Sequence, residues 1–256
     1  MGLKLNKISD ENAKREIKQN LEIIPRRLAK LEASGNTSEK LKHLEMLADL
    51  YFEVGALQYQ QEAPKEEVIS HLRSAAEYYV RFFPIRPEPE ELDSRFVGTF
   101  ETAIDSLVCF GEKDLRRKLS GIERWQYNFP EHDAYRIRAD YLEVEKRFVG
   151  DGVLNEAELQ RLEDYCSSDR ASKEERKFVL PKIKGIKAIV SGDQDALNRA
   201  IMDLVEAHKW EALRGEYRLM YEGLICLPGL MLAQLGRERN LAVTVKSDYL
   251  PLRFME

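Results

Sequence analysis

A chain of 256 residues is long enough for one large domain or two small ones, each with a sizeable core. Hydrophobic residues make up 43% and charged residues 33%, a balance that excludes a membrane-spanning protein, and 14 Gly with 9 Pro are too few for a sandwich or barrel that turns every few residues. The 40 basic and 45 acidic residues give a net charge of −5, opposite in sign to a generic nucleic-acid-binding domain.

The amino-terminal residues, with Lys4 and Lys7, have no apolar stretch behind them, so no signal peptide is read there. The longest apolar run, Gly223–Leu235, falls short of the ~20 residues of a membrane span, and Pro228-Gly229 interrupts it. Cys109, Cys166 and Cys226 are isolated and set in helical patterns, which reads as reduced core thiols in a cytoplasmic protein.

Nearly every segment repeats its apolar residues at the helical period. Ile17, Leu21, Ile24, Leu28 and Leu31 form a first stripe after the capping sequence Ser9-Asp10-Glu11, and Pro25 inside it predicts a kinked or split helix. Gly35-Asn36-Thr37 starts a second helix with the stripe Leu41, Leu44, Leu47, Tyr51, Val54 and Leu57. Pro64 opens a third, which buries Val68, Leu72, Ala75, Ala76, Tyr79 and Phe83, with Glu66 and Glu67 placed where the helix dipole favours acid. Three prolines in residues 84–89 then predict an extended linker or rigid loop.

Beyond that loop, Phe96, Phe100, Ile104, Leu107 and Val108 mark another helix, followed by a shorter basic one ending near Trp125. Helices are expected over Tyr135–Val149, Leu154–Cys166 and Arg170–Val190, the last with Pro181 inside it. Leu197, Ile201, Leu204, Val205 and His208 line one face of a long helix, and Tyr217–Gly236 is apolar enough all round to be a central, enclosed one. Leu241–Val245 alternates and is β-branched, the one convincing strand; alone it must pack on helices. No fixed-period repeat is present. The expectation is an all-α fold, an irregular helical bundle or layered antiparallel helix pairs, with about ten helices and one short extended segment. It is read as a single domain over 1–256, residues 84–89 being the one place where it would divide.

Motifs for chemistry are missing. His43, His71, His132 and His208 have no second His or Cys at metal-ligand spacing; the first two read as solvated, and His208 as a core residue with one satisfied nitrogen. The segment Gly150–Glu158 matches the second half of an EF-hand loop, but Arg147 and Val149 stand where the first ligands belong, so it reads as a helix cap. No nucleophile elbow, phosphate loop or dinucleotide fingerprint occurs. Glu101 and Asp105 share a helix face, read as an ordinary wet one. No catalytic, cofactor or metal site is assigned.

Residues 51–100 hold nine acidic and five basic residues. Glu88, Glu90, Glu91 and Asp93 are the candidates there for meeting a basic partner. The run Lys173–Lys187, with Lys173, Arg176, Lys177, Lys182, Lys184 and Lys187 among apolar residues, reads as an amphipathic helix with its basic positions exposed.

The carboxy-terminal quarter carries a recognisable order of pieces: Asp195–Ala200, then Ala207-His208-Lys209-Trp210, then Glu222-Gly223-Leu224 through Ala233, and finally Val243–Pro251 with Ser247-Asp248-Tyr249-Leu250-Pro251. This order resembles the immunity protein 49 family of bacterial polymorphic toxin systems. The resemblance implies a non-catalytic protein that binds and blocks a cognate protein toxin, which fits the residue-based expectation of a cytoplasmic chain with no cofactor, nucleic-acid partner or membrane. His208, Lys209, Gly223, Leu224, Ser247, Tyr249, Leu250 and Pro251 are the matching residues, and most are of the apolar or turn-forming kind that holds a fold. A helical-repeat interaction scaffold unrelated to toxins is the alternative, and a helical enzyme pairing His208 with Glu206 or Glu222 a third reading.

Overall fold

Buried apolar stripes explain most of the helices. The computed structural model describes residues 8–85, 95–127 and 135–255, of which Arg95 is described in backbone alone. Ten α-helices occur among them: α1 Asp10–Ala33, α2 Thr37–Gln60, α3 Lys65–Phe82, α4 Arg95–Phe110, α5 Lys113–Ser120, α6 Arg136–Asp151, α7 Glu156–Cys166, α8 Leu180–Ser191, α9 Gln194–Arg214 and α10 Leu227–Glu238. No strand or sheet forms among the described residues. None of their helices is long and apolar enough to cross a membrane.

Helices α1 to α4 pack each on the next, α8 packs on α9, and α10 lies against α4, α8 and α9. One large cluster of buried side chains runs from Ala13 to Phe254 and joins both halves of the chain, and a small second one, Ile24, Leu47 and Val54, lies between α1 and α2. Along α2 the expected stripe is buried except for the half-buried Tyr51, and so are Ala48, Phe52, Ala56 and Tyr59 on its other sides, because α1 and α3 enclose it. At Gly185 of α8, an added Cβ would lie 2.3 Å from a methyl of Leu232 in α10, so the missing side chain sets that helix contact.

Caps fall where the polar punctuation suggested. Ser9, Asn36, Asn155 and Asp193 each accept a backbone N–H from the first turn of the helix they precede. Gly152 closes α6 with a φ of 70°, a left-handed conformation that L side chains adopt at a cost. The calcium-like segment is therefore two helix caps back to back, Gly152 ending one helix and Asn155 starting the next.

Three expectations need correction. Pro25 does not split α1, which runs unbroken from Asp10 to Ala33. Both Pro25 and Leu21, whose carbonyl loses its partner, face solvent, where water can serve the orphaned oxygen. The expected helix over Arg170–Val190 contains a wider π turn at Glu175–Val179, where the N–H of Leu180 reaches the carbonyl of Glu175. Pro181 has no N–H to return to Lys177, which favours this wider winding just before it. The enclosed helix expected over Tyr217–Gly236 is instead two 3-10 turns, Glu216–Leu219 and Tyr221–Leu224, followed by α10. Gly223 and Pro228 break it: a Cβ at Gly223 would stand 2.5 Å from the carbonyl oxygen of Tyr217.

The segment Leu241–Val245 is extended but has no strand beside it. Side chains of α9 take the place of a neighbouring strand. Asn198 donates to the Ala242 carbonyl (2.9 Å) and accepts from the Thr244 N–H (2.7 Å), while Gln194 accepts from the Ala242 N–H (3.0 Å). The chain then turns inward at Tyr249, whose carbonyl accepts from the Cys226 N–H at 2.8 Å and whose ring meets that of His208 edge-on at 5.4 Å. All three cysteines are free thiols, and burial pushes Cys166 up to about 11 and Cys226 up to about 12.

Truncating Tyr249 to Ala removes a buried ring that packs the tail against His208 of α9. It is expected to cost about 3–5 kcal/mol, read as a lower denaturant midpoint with an unchanged m-value.

Candidate functional site: an acidic cleft over a buried charge cluster

Where α2, α4, the π turn, the end of α9 and the two 3-10 turns converge, they enclose a cleft of about 1000 Å³. Nine carboxylate side chains line it against three basic ones, Arg138, Lys173 and Lys177. The excess of acid is the main electrostatic feature of the cleft.

Its inner wall meets the most deeply buried charges of the protein. The Lys182 side chain of α8 is fully enclosed, and its Nζ lies 2.9 Å from Asp105 and 3.2 Å from Glu101, both on α4, and 2.9 Å from Glu145 on α6. The Tyr141 hydroxyl donates to Glu145 at 2.6 Å, and Arg138 Nε donates to Glu101 at 2.6 Å. Burial works to lower the Lys182 pKa, but the three carboxylates outweigh it and hold the ammonium charged. Burial alone would raise Glu101; Arg138 and Lys182 together reverse this and bring it down to about 2. Asp105 moves the other way: burial, helped by the negative charges of Glu145 and Glu101, lifts it well above the usual carboxylate range despite Lys182. Glu145 is raised for the same first reason. Two cations thus face three carboxylates, and Asp105 is a group that readily takes up the proton balancing them.

Two sequence expectations are overturned here. Lys182 is not an exposed basic position, although Lys173, Arg176 and Lys184 in the same run are. The Glu101–Asp105 face is not an ordinary wet face, since Asp105 is buried and both carboxylates bond to Lys182. A signal was present in the sequence: each group takes the place of an apolar residue in a stripe, Lys182 between Val179 and Ile186, Glu145 between Tyr141 and Phe148.

His208 lines the cleft and is buried, with one ring nitrogen satisfied by the Gly223 backbone and Nε2 without a partner, as its place on the apolar face of α9 suggested. Burial lowers it to about 4, against the smaller opposing pull of Gly223 and Glu211. Asp49 accepts the Tyr79 hydroxyl at 2.7 Å, yet burial raises its pKa. Glu222 is raised by burial too, and its Oε2 has no hydrogen-bond partner.

The other motif residues divide between core and surface. Leu224, Tyr249, Leu250 and Pro251 are buried, Gly223 is required by the Tyr217 carbonyl, and the Ser247 hydroxyl accepts the Tyr249 N–H at 3.2 Å. Lys209 is exposed and pairs with Glu206 at 3.6 Å. Glu88, Glu90, Glu91 and Asp93 lie outside the described residues, as does His132. His71, read as solvated, instead shares a 2.8 Å hydrogen bond with Gln58 and stacks on Tyr51. Among the described residues, no three or more His, Cys, Asp or Glu side chains are placed to hold a metal ion.

Fold and cleft together define an all-α protein with a cleft lined mainly by carboxylates. The sequence model of the Immunity protein 49 family matches residues 60–254, and the chain belongs to that family. The match reaches well upstream of the carboxy-terminal motifs that first suggested it and takes in α3 to α10. Comparison with curated proteins and with solved structures yields no significant match.

Replacing Lys182 by Met leaves the carboxylates without their ammonium and is expected to cost about 3–5 kcal/mol at pH 7. Part of the loss should return between pH 7 and pH 5, because burial favours the protonated forms of Asp105 and Glu145 in the folded chain while the same groups are still ionised when unfolded. Asp105→Asn, which keeps the shape and resembles the protonated acid, should cost about 1 kcal/mol or less. Equilibrium denaturation at both pH values separates the two outcomes.

His208 predicts an acid-sensitive limb. Its folded pKa of about 4 lies below the 6.5 of an unperturbed imidazole, so between these values the unfolded chain binds the additional proton. Stability from this group is complete above 6.5 and is lost as pH falls toward 4, a difference of about 3 kcal/mol. Comparing unfolding free energies of the wild type and His208→Gln at pH 7 and pH 4 should show the gap between them shrinking by that amount.

Proposed function

We propose that this protein neutralises a cognate toxin of a bacterial polymorphic toxin system by binding it stoichiometrically in the cytoplasm, without catalysis, and blocking it by occlusion. Family membership gives the class of function, and the observation that carries the reading is the acidic cleft, with nine carboxylates against three basic side chains. A surface so biased complements a basic partner, accelerating encounter and disfavouring partners of like charge. Apolar anchors are available beside it: Trp210 lines the cleft and is 43% exposed, and Leu219 and Met220 stand out from the turn that follows α9. Large side chains of this kind dominate binding energy at protein interfaces.

The non-catalytic reading is supported by how the ionisable groups are used. Lys182 and Arg138 are engaged with the carboxylates on the inner wall, which suits a scaffold better than a proton-transfer site. Glu88, Glu90, Glu91 and Asp93 fit the same proposal as additional negative charge that steers a basic toxin.

Titration of the toxin encoded beside this gene should give a 1:1 or similar end point with nanomolar or tighter affinity, about −12 kcal/mol or stronger. Protection by far less than one equivalent would require turnover and would overturn occlusion. Reversing the charges of Glu88, Glu90, Glu91 and Asp93 together should leave the melting temperature unchanged, slow association and weaken its salt dependence.

A further inference from the structure

Among the described residues that line the cleft, two buried side-chain polar atoms lack a hydrogen-bond partner, and both are acceptors. His208 is 4% exposed, and its Nε2 has no partner. Its pKa of about 4 keeps the ring neutral at ordinary pH, and the ring nitrogen facing the Gly223 backbone carries the proton, because that contact stabilises the protonated form. Nε2 is then a bare lone pair that calls for an N–H or O–H. Glu222, the residue before Gly223, supplies the second unmet acceptor in Oε2.

The surroundings specify the charge of the missing donor. Asp49 and Glu222 both line the cleft and repel each other's ionised form. Tyr217 and Tyr221 line the same space and present aromatic rings. At the cleft edge two cations already use an aromatic face, Lys177 at 4.1 Å and Lys173 at 5.2 Å from the centre of the Trp210 ring. A metal ion does not fit, since among the described residues no metal-holding group of side chains exists. A flat cation with several divergent donors does: it can bond to acceptors on different walls at once and stack on a ring, which a compact ammonium with one centre of charge does less well.

We infer that the cleft receives the guanidinium of an arginine carried by a protruding basic segment of the partner protein, bonded to His208 Nε2 and Glu222 and neutralising the Asp49–Glu222 pair. The inference rests on the immunity reading for the identity of the partner, but not for the chemistry of the cleft.

The cleft can be probed without the toxin. A capped tri-arginine peptide is titrated into the full chain, with capped tri-lysine as comparator, by calorimetry and by 15N spectra of labelled histidine, the His208 signal being assigned through His208→Gln. The expected result is a saturable single site for tri-arginine, at least tenfold tighter than for tri-lysine, with the His208 Nε2 resonance moving on binding. Asp49→Asn with Glu222→Gln should weaken tri-arginine at least tenfold. Asp203→Asn with Glu206→Gln, which removes the same charge from the exposed side of α9, should leave it unchanged. An unmoved His208 signal, equal binding of the two peptides, or equal weakening by both double variants would overturn the inference, leaving only attraction by net charge.

Protection of cells expressing the neighbouring toxin separates this inference from the functional reading. If the wild type protects and the Asp49–Glu222 variant protects equally well, the arginine site is refuted while immunity stands. If the wild type itself fails to protect, the immunity reading falls, and the peptide titration still decides the cleft.

Discussion

An ammonium enclosed on every side stays charged only when carboxylates meet it at hydrogen-bond distance, and Lys182 draws them from two other helices. Because Glu101 and Asp105 come from α4 and Glu145 from α6, the cluster fixes how α4, α6 and α8 sit against one another. Apolar packing alone tolerates small slips between helices, whereas a desolvated charge set penalises any slip that lengthens a bond. The cleft inherits this rigidity, since Glu101 and Asp105 belong to its wall as well.

Arg116 plays a related part at the other end of α4. Its side chain is buried, grips both oxygens of Glu238 at 2.9 and 3.0 Å, and donates to the Val108 carbonyl at 2.7 Å. This ties α5 to the last turn of α10 and to α4. Two buried cations, each reaching across three helices, thus brace the part of the fold from which the cleft is built.

The helices were largely legible because their apolar periodicity is strong and their caps are explicit; Ser9 and Asn36 start helices where the sequence marks them. What was not legible depended on partners distant in the chain. Lys182 sits in a run of basic residues, and only the carboxylates of α4 and α6, up to 81 positions away, make it a core residue. The break of Tyr217–Gly236 into two turns and a helix arises from the close approach of Gly223 to the Tyr217 carbonyl, a contact that composition does not announce. His208 was readable as a buried side chain with one satisfied nitrogen, but its place on a cleft wall was not, since the cleft is assembled from elements spread between α2 and the carboxy-terminal turns.

The extended segment 241–245 has a further consequence. Its sequence, Leu-Ala-Val-Thr-Val, is uncharged, β-prone and free of proline, the composition of a strand that recruits copies of itself. An open edge of this kind invites pairing between molecules. In this fold the amide side chains of Gln194 and Asn198 occupy the Ala242 and Thr244 N–H groups and the Ala242 carbonyl. Two residues of one helix thereby occupy the backbone groups through which another copy of the segment would pair, which is the usual way an edge is kept from recruiting a neighbour.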